Sequence, residues 1–189
     1  MQDQPAGCPP NPPTGGDPFD LLGLRHSFEL APGEIRRAHR ARVAAVHPDV
    51  SDVGSSEHAT AAVLNSARDE LLDPERRANV LLARLGGPAA SDDKSLPDGF
   101  LMEIMELRTE VEAALAQGES ARAAAQQAAE TQRAEMISAV TKAFASLGDA
   151  PDRAALASIR TRLNAWRYIE RLVEQLDPEY DPARADFAG

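Results

Sequence analysis

The sequence is short of cysteine, aromatic residues, basic charge and long apolar runs, and each shortage excludes a class of protein. Its single cysteine, Cys8, rules out an intrachain disulfide framework and has no cysteine partner with which to hold a metal. Aromatic residues are 4% of the 189, although 43% are hydrophobic. The core is therefore aliphatic and alanine-rich, which suits closely packed helices and disfavours a β-sandwich. Lys and Arg number 20 against 30 Asp and Glu, a net charge of −10, which excludes a uniformly basic nucleic-acid-binding surface. No apolar run approaches the roughly 20 residues needed to span a bilayer. The N-terminus has neither the basic start nor the apolar core of a signal peptide. A soluble cytoplasmic protein with no membrane or nucleic-acid partner is expected.

Catalytic signatures are missing as well. The four histidines, His26, His39, His47 and His58, form no H-E-x-x-H pattern. The chain has no P-loop, no dinucleotide-binding glycine fingerprint and no G-x-S-x-G elbow. His47 and Asp49 make a dyad without a nucleophile. The expectation is a protein that is not an enzyme and carries neither cofactor nor metal.

Helical periodicity dominates what is present. Residues 1–16 are rich in Pro and Gly and read as a disordered tail. Asp17-Pro18 opens a short apolar helix broken at Gly23. A second helix, about Glu34 to Val46, carries Ile35, Ala38, Val43 and Val46 at roughly helical spacing. Its other faces hold Arg36, Arg37, Arg40 and Arg42; against Glu34 alone this gives +4 −1 = +3. Pro48 ends that helix at His47-Pro48-Asp49, and a turn-rich loop follows. A third helix, about Glu57 to Leu72, places Ala61, Leu64, Ala67 and Leu71 on one stripe. Asp73-Pro74 starts another, closed by Gly86-Gly87-Pro88. After a linker at 88–97 come three helices, about Asp98–Gln117, Ser120–Leu147 and Asp152–Leu176, separated at Gly118 and at Gly148–Pro151. Leu156, Ile159, Leu163, Trp166 and Val173 form a seam on the last. Short connections predict an antiparallel three-helix bundle.

The order of these features is specific. A short apolar helix, a basic helix, His-Pro-Asp, a loop and an Ala/Leu helix together resemble a J-domain, and Ile35–Ala38, Leu64–Ala67 and Asp73–Arg77 are similar to its segments. The second half narrows the resemblance to HscB-type J-domain co-chaperones of iron–sulfur cluster assembly. Phe100–Arg108 (FLMEIMELR) and Asn164–Leu172 (NAWRYIERL) are similar to that family's bundle helices. The resemblance covers about residues 17–177. His39 and Arg68 stand where the family usually has aromatic residues, Arg42 where it has Leu, and Val50 where a basic residue is frequent.

The resemblance implies an all-α, L-shaped protein: a J-domain at 17–87, a linker at 88–97, a three-helix bundle at 98–177 and a flexible tail at 178–189. It implies that His47, Pro48 and Asp49 engage a DnaK/HscA-type chaperone and stimulate its ATPase. Pro48 limits backbone freedom, so His47 and Asp49 are presented at less entropic cost. Asp49 suits a charge-assisted bond to a cation, and Arg36, Arg37 and Arg40 steer toward an acidic surface. It further implies that Leu101, Met102, Met105, Glu106 and Tyr168 bind the iron–sulfur cluster scaffold protein. Without the resemblance Leu101, Met102 and Met105 read as core; Phe100, Ile104 and Leu107 are expected in the core in either case. Self-association of the bundle is open. So are two other functions: a J-domain co-chaperone with another client, and a helical adaptor without chaperone activity.

Overall fold

A computed structural model describes residues 16–46, 56–148 and 150–177, and the described residues contain seven α-helices and no strand. They are α1 (Pro18–Leu22), α2 (Pro32–Val46), α3 (Ser56–Leu72), α4 (Pro74–Arg84), α5 (Phe100–Gln117), α6 (Glu119–Ala145) and α7 (Arg153–Leu176). No helix among them is long and apolar enough to cross a membrane. The chain forms two compact units. Of the described residues, one takes in 16–26, 30–46 and 56–72; the other takes in 27–29, 73–148 and 150–177.

In the first unit, Asp17 caps α1 by accepting from Phe19 N at 2.8 Å, with Pro18 at the first helical position. Gly23 ends the helix at φ +67, a left-handed conformation that costs glycine little. A Cβ there would also lie 2.5 Å from Arg42 Nη2, so the Arg42 side chain occupies the space that Gly23 leaves. The core gathers Phe19 and Leu22 from α1, Leu30, Ile35 from α2, and Leu64, Ala67 and Leu71 from α3. Ala61, Ala38 and Val43, expected on the same stripes, are half-buried. Of the family-atypical polar residues, His39 and Arg68 meet at Asn65. His39 Nε2 bonds Asn65 Oδ1 at 2.9 Å, and Arg68 Nη1 reaches the same oxygen at 3.4 Å while its Nε holds Asp69 at 2.8 Å. Val50 lies outside the described residues.

The second unit is built around α7, which packs against α4, α5 and α6. Contact on three sides explains why α7 buries a broad arc, including Leu156, Ile159, Leu163, Trp166, Ile169, Leu172 and Leu176. Val173, expected in its seam, is half-buried. Phe100, Ile104, Leu107 and Val111 of α5 and Ala129 of α6 complete one end of the core. Burying each large aliphatic side chain contributes about 1.5–3 kcal/mol. At the other end Phe28 stacks on Phe144 at 5.6 Å and meets Trp166 edge-on at 6.3 Å.

Helix α4 begins at a second Asp-Pro: Asp73 accepts from Arg76 N at 3.0 Å and Pro74 follows. Its Arg77 is buried, yet satisfied. Nε donates to Phe28 O at 2.9 Å and the guanidinium lies 5.1 Å from the Phe28 ring centre. Burial lowers the Arg77 pKa from its ordinary value, against the pull of Asp73. Past the helix, the chain turns at Gly87, where a Cβ would overlap the Leu82 side chain. The 88–97 stretch is tied to α7: Asn164 Nδ2 donates to Asp93 O at 2.9 Å and to Ser95 O at 3.0 Å.

Candidate functional site

Two surfaces follow from the sequence expectations, and they are positioned differently. On the first unit, Arg36, Arg37 and Arg40 are all exposed along α2. Ile35 is fully buried, which fixes the rotation of the helix and turns these arginines outward. His47, Pro48 and Asp49 lie outside the described residues.

The second surface is on α5. One turn of this helix divides its apolar residues between two faces. Phe100, Ile104, Leu107, Val111 and Ala114 recur every three or four residues and point into the bundle. Leu101, Met102 and Met105 lie on a different arc and are 58%, 72% and 63% exposed. Glu103 and Glu106 are exposed beside them. Tyr168 of α7 sits against the start of α5, its ring edge-on to Phe100 with centres 6.1 Å apart, and is 38% exposed. A leucine and two methionines grouped on one helix turn make an apolar surface that water solvates poorly. Methionine's flexible, polarisable side chain lets such a surface fit a partner.

A polar network ties α7 to α6 and α4. Trp166 Nε1 donates to Glu170 Oε1 at 2.6 Å, and Arg133 Nε donates to the same oxygen at 2.7 Å. Burial works against the Arg133 charge, but the bond and attraction to Glu170, with Glu130 adding to it, carry the net pKa upward. Arg167 pairs with Glu75 at 3.5 Å and Glu174 at 3.6 Å. Burial raises the Glu75 carboxyl pKa above its ordinary value, with Asp73 and Glu170 adding to the rise and Arg167 opposing it.

The sequence expectation did not include Arg160, Arg167 and Arg171. They fall seven and four residues apart, hence on one stripe of α7. Reading α7 for its apolar seam alone passes over that periodicity. Among the described residues one group of side chains could hold a metal, Asp17, Asp20 and His26. Its parts have other uses: Asp17 caps α1, and His26 Nε2 bonds Asp20 Oδ1 at 2.7 Å.

Known proteins resemble this chain in sequence and in fold. Residues 96–177 match the family described as the HSCB C-terminal oligomerisation domain. The chain is similar to a co-chaperone protein HscB homolog of Bordetella pertussis, 29% identical over 166 residues, 85% of this chain and 94% of the relative. It is 38% identical over 104 residues to a co-chaperone protein HscB homolog of Vibrio cholerae, covering 52% of this chain and 61% of that protein. Among solved structures it resembles chaperone HscB from Vibrio cholerae, with a TM-score of 0.67 at 26% identity over 85% of this chain and 94% of that one. The human co-chaperone protein HscB shares the fold, with a TM-score of 0.68 at 22% identity over 93% of this chain and 90% of that one.

Proposed function

Since this chain belongs to the HscB co-chaperone family, we propose that it stimulates ATP hydrolysis by a DnaK/HscA-type chaperone and delivers an iron–sulfur cluster scaffold protein to it. The observation that carries the delivery half is the exposure of Leu101, Met102 and Met105 on one arc of α5, the helix whose first residue, Phe100, meets Tyr168. These residues hold the scaffold, with Glu106 at the rim. The J-domain, residues 17–87, acts on the chaperone in the cytoplasm, and the bundle, residues 98–177, holds the client. His47-Pro48-Asp49 favours the chaperone conformation that hydrolyses ATP by binding it better than the alternative. Arg36, Arg37 and Arg40 raise the encounter rate with an acidic chaperone surface, an effect screened beyond about 8–10 Å at physiological ionic strength.

The test has two arms. In the first, chaperone ATPase is measured with the parent and with His47→Gln; stimulation by the parent and its loss in the variant are expected. In the second, the scaffold is titrated against the parent and Leu101→Ala/Met105→Ala. The double variant should bind at least about 2 kcal/mol more weakly, the usual size of a hot-spot loss. Unchanged ATPase stimulation in His47→Gln defeats the chaperone role, and unchanged scaffold affinity defeats the assignment of the α5 face. A second reading is favoured by the word oligomerisation in the matched family's description: the same face pairs two copies. Sedimentation of the parent and of the double variant distinguishes them, because only pairing predicts a parental dimer that the variant loses.

A further inference from the structure

Within the second unit, α7, α4 and the 88–97 stretch enclose a cleft of about 360 Å³. Its charged lining is unbalanced: Lys94, Arg160, Arg167 and Arg171 against Glu75, or +4 −1 = +3. Glu75 is already paired with Arg167, which also touches Glu174. Arg160 is 4% exposed, and its Nη1 donates to Asn79 Oδ1 at 2.7 Å. Among the described residues its Nε has no hydrogen-bond partner. A buried guanidinium with an unused N–H is costly unless an acceptor or a compensating anion is nearby. Burial accordingly lowers the Arg160 pKa from its ordinary value, although Glu75 and Asp93 pull the other way. The loop wall is held in place by Asn164 through Asp93 O and Ser95 O.

The shape of the charge identifies the class of ligand. Arg160 and Arg171 are eleven residues apart, about 16 Å along the helix. That length exceeds a single phosphate and equals roughly five residues of extended chain. Tyr168 lines the cleft and also meets Phe100 edge-on at the start of α5, the helix that carries the apolar face. We infer that this cleft receives an extended acidic segment, about five residues long, of the same partner protein that docks on Leu101, Met102 and Met105. The inference rests on the reading of that face as the scaffold site and adds the chemistry of the partner: an apolar contact flanked by a run of Asp and Glu. Such a segment supplies acceptors to Lys94, Arg167 and Arg171 and places a compensating negative charge near the buried Arg160.

Pentaglutamate, inorganic phosphate and the scaffold protein serve as probes of the full-length chain, with the arginine Nε–H signals followed by nuclear magnetic resonance. Pentaglutamate should shift Arg160, Arg167 and Arg171 saturably while leaving Arg36, Arg37 and Arg40 nearly unmoved. Lys94→Gln/Arg171→Gln should weaken that binding by about tenfold. The same variant should weaken scaffold binding and flatten its salt dependence, with an unchanged circular dichroism spectrum. Shifts spread evenly over all exposed arginines would overturn the inference, as would phosphate binding as tightly as the peptide at equal ionic strength. If the parent binds scaffold and the charge variant binds it equally well, the acidic-segment inference fails and the α5 reading stands. If the parent binds no scaffold, the underlying reading fails, and this inference with it.

Discussion

His39 on α2 and Asn65 on α3 are joined by a 2.9 Å hydrogen bond from Nε2 to Oδ1, across a contact where relatives are expected to place an aromatic side chain. The bond is partly exposed and its oxygen is shared with Arg68. A net contribution of about 0.5–1.5 kcal/mol follows. A double-mutant cycle of His39→Ala and Asn65→Ala, measured by chemical denaturation, should return a coupling energy in that range. A coupling indistinguishable from zero would mean that the polar pair merely tolerates the interface.

Ile104 and Met105 are neighbours in sequence with opposite fates, one 8% and the other 63% exposed. Ile104→Ala removes core atoms and should cost about 2–5 kcal/mol. Met105→Ala opens no cavity and should stay within about 0.5 kcal/mol. Urea unfolding of the two variants decides this; similar losses would show that the α5 face is covered.

Glu170 accepts from both Trp166 and Arg133. Trp166→Phe keeps most of the buried ring but removes the indole donor to a charged acceptor, a loss of about 1.5–3 kcal/mol. Thermal unfolding of this variant and of Arg133→Gln should show that each is destabilising. A Trp166→Phe protein as stable as the parent would indicate that Arg133 alone suffices to hold Glu170.

Glu75 gives stability a pH dependence. Burial raises its folded pKa above the unfolded value, so its contribution is fully present below the unfolded pKa and is lost as pH rises through the folded pKa. Glu75→Gln lacks this loss. The melting temperature of the variant relative to the parent should therefore rise as pH increases from about 4 to about 7. A difference that falls over this interval would mean that attraction to Arg167 outweighs burial.

Much of the helical framework is legible in the linear order of residues. Asp-Pro pairs at Asp17 and Asp73, Asp152 at the cap of α7, and the break at Gly118 act through local hydrogen bonds and backbone preference, so they mark helix ends wherever the chain later packs. Other starts are displaced: α2 begins at Pro32, a proline at the first helical position, two residues before the expected Glu34, and α5 begins at Phe100 instead of Asp98, after Gly99 at φ +80 with no side-chain cap. The resemblance to a family is likewise carried by short segments such as FLMEIMELR.

The sequence by itself thus determined seven helices in order, which arcs of them are apolar, and the kinship that suggests a chaperone partner. Tertiary structure decided the rest. Whether Leu101, Met102 and Met105 form core or surface depends on which arcs of α5 its neighbours cover, and α6 and α7 leave that one open. Whether Arg77 and Arg160 are solvated or buried depends on the packing of α4 on α7 and on Phe28, which arrives from 49 residues away to receive the Arg77 bond. Periodicity reports the shape of one helix, whereas burial and charge compensation are properties of pairs of helices, and pairs are chosen only when the chain folds.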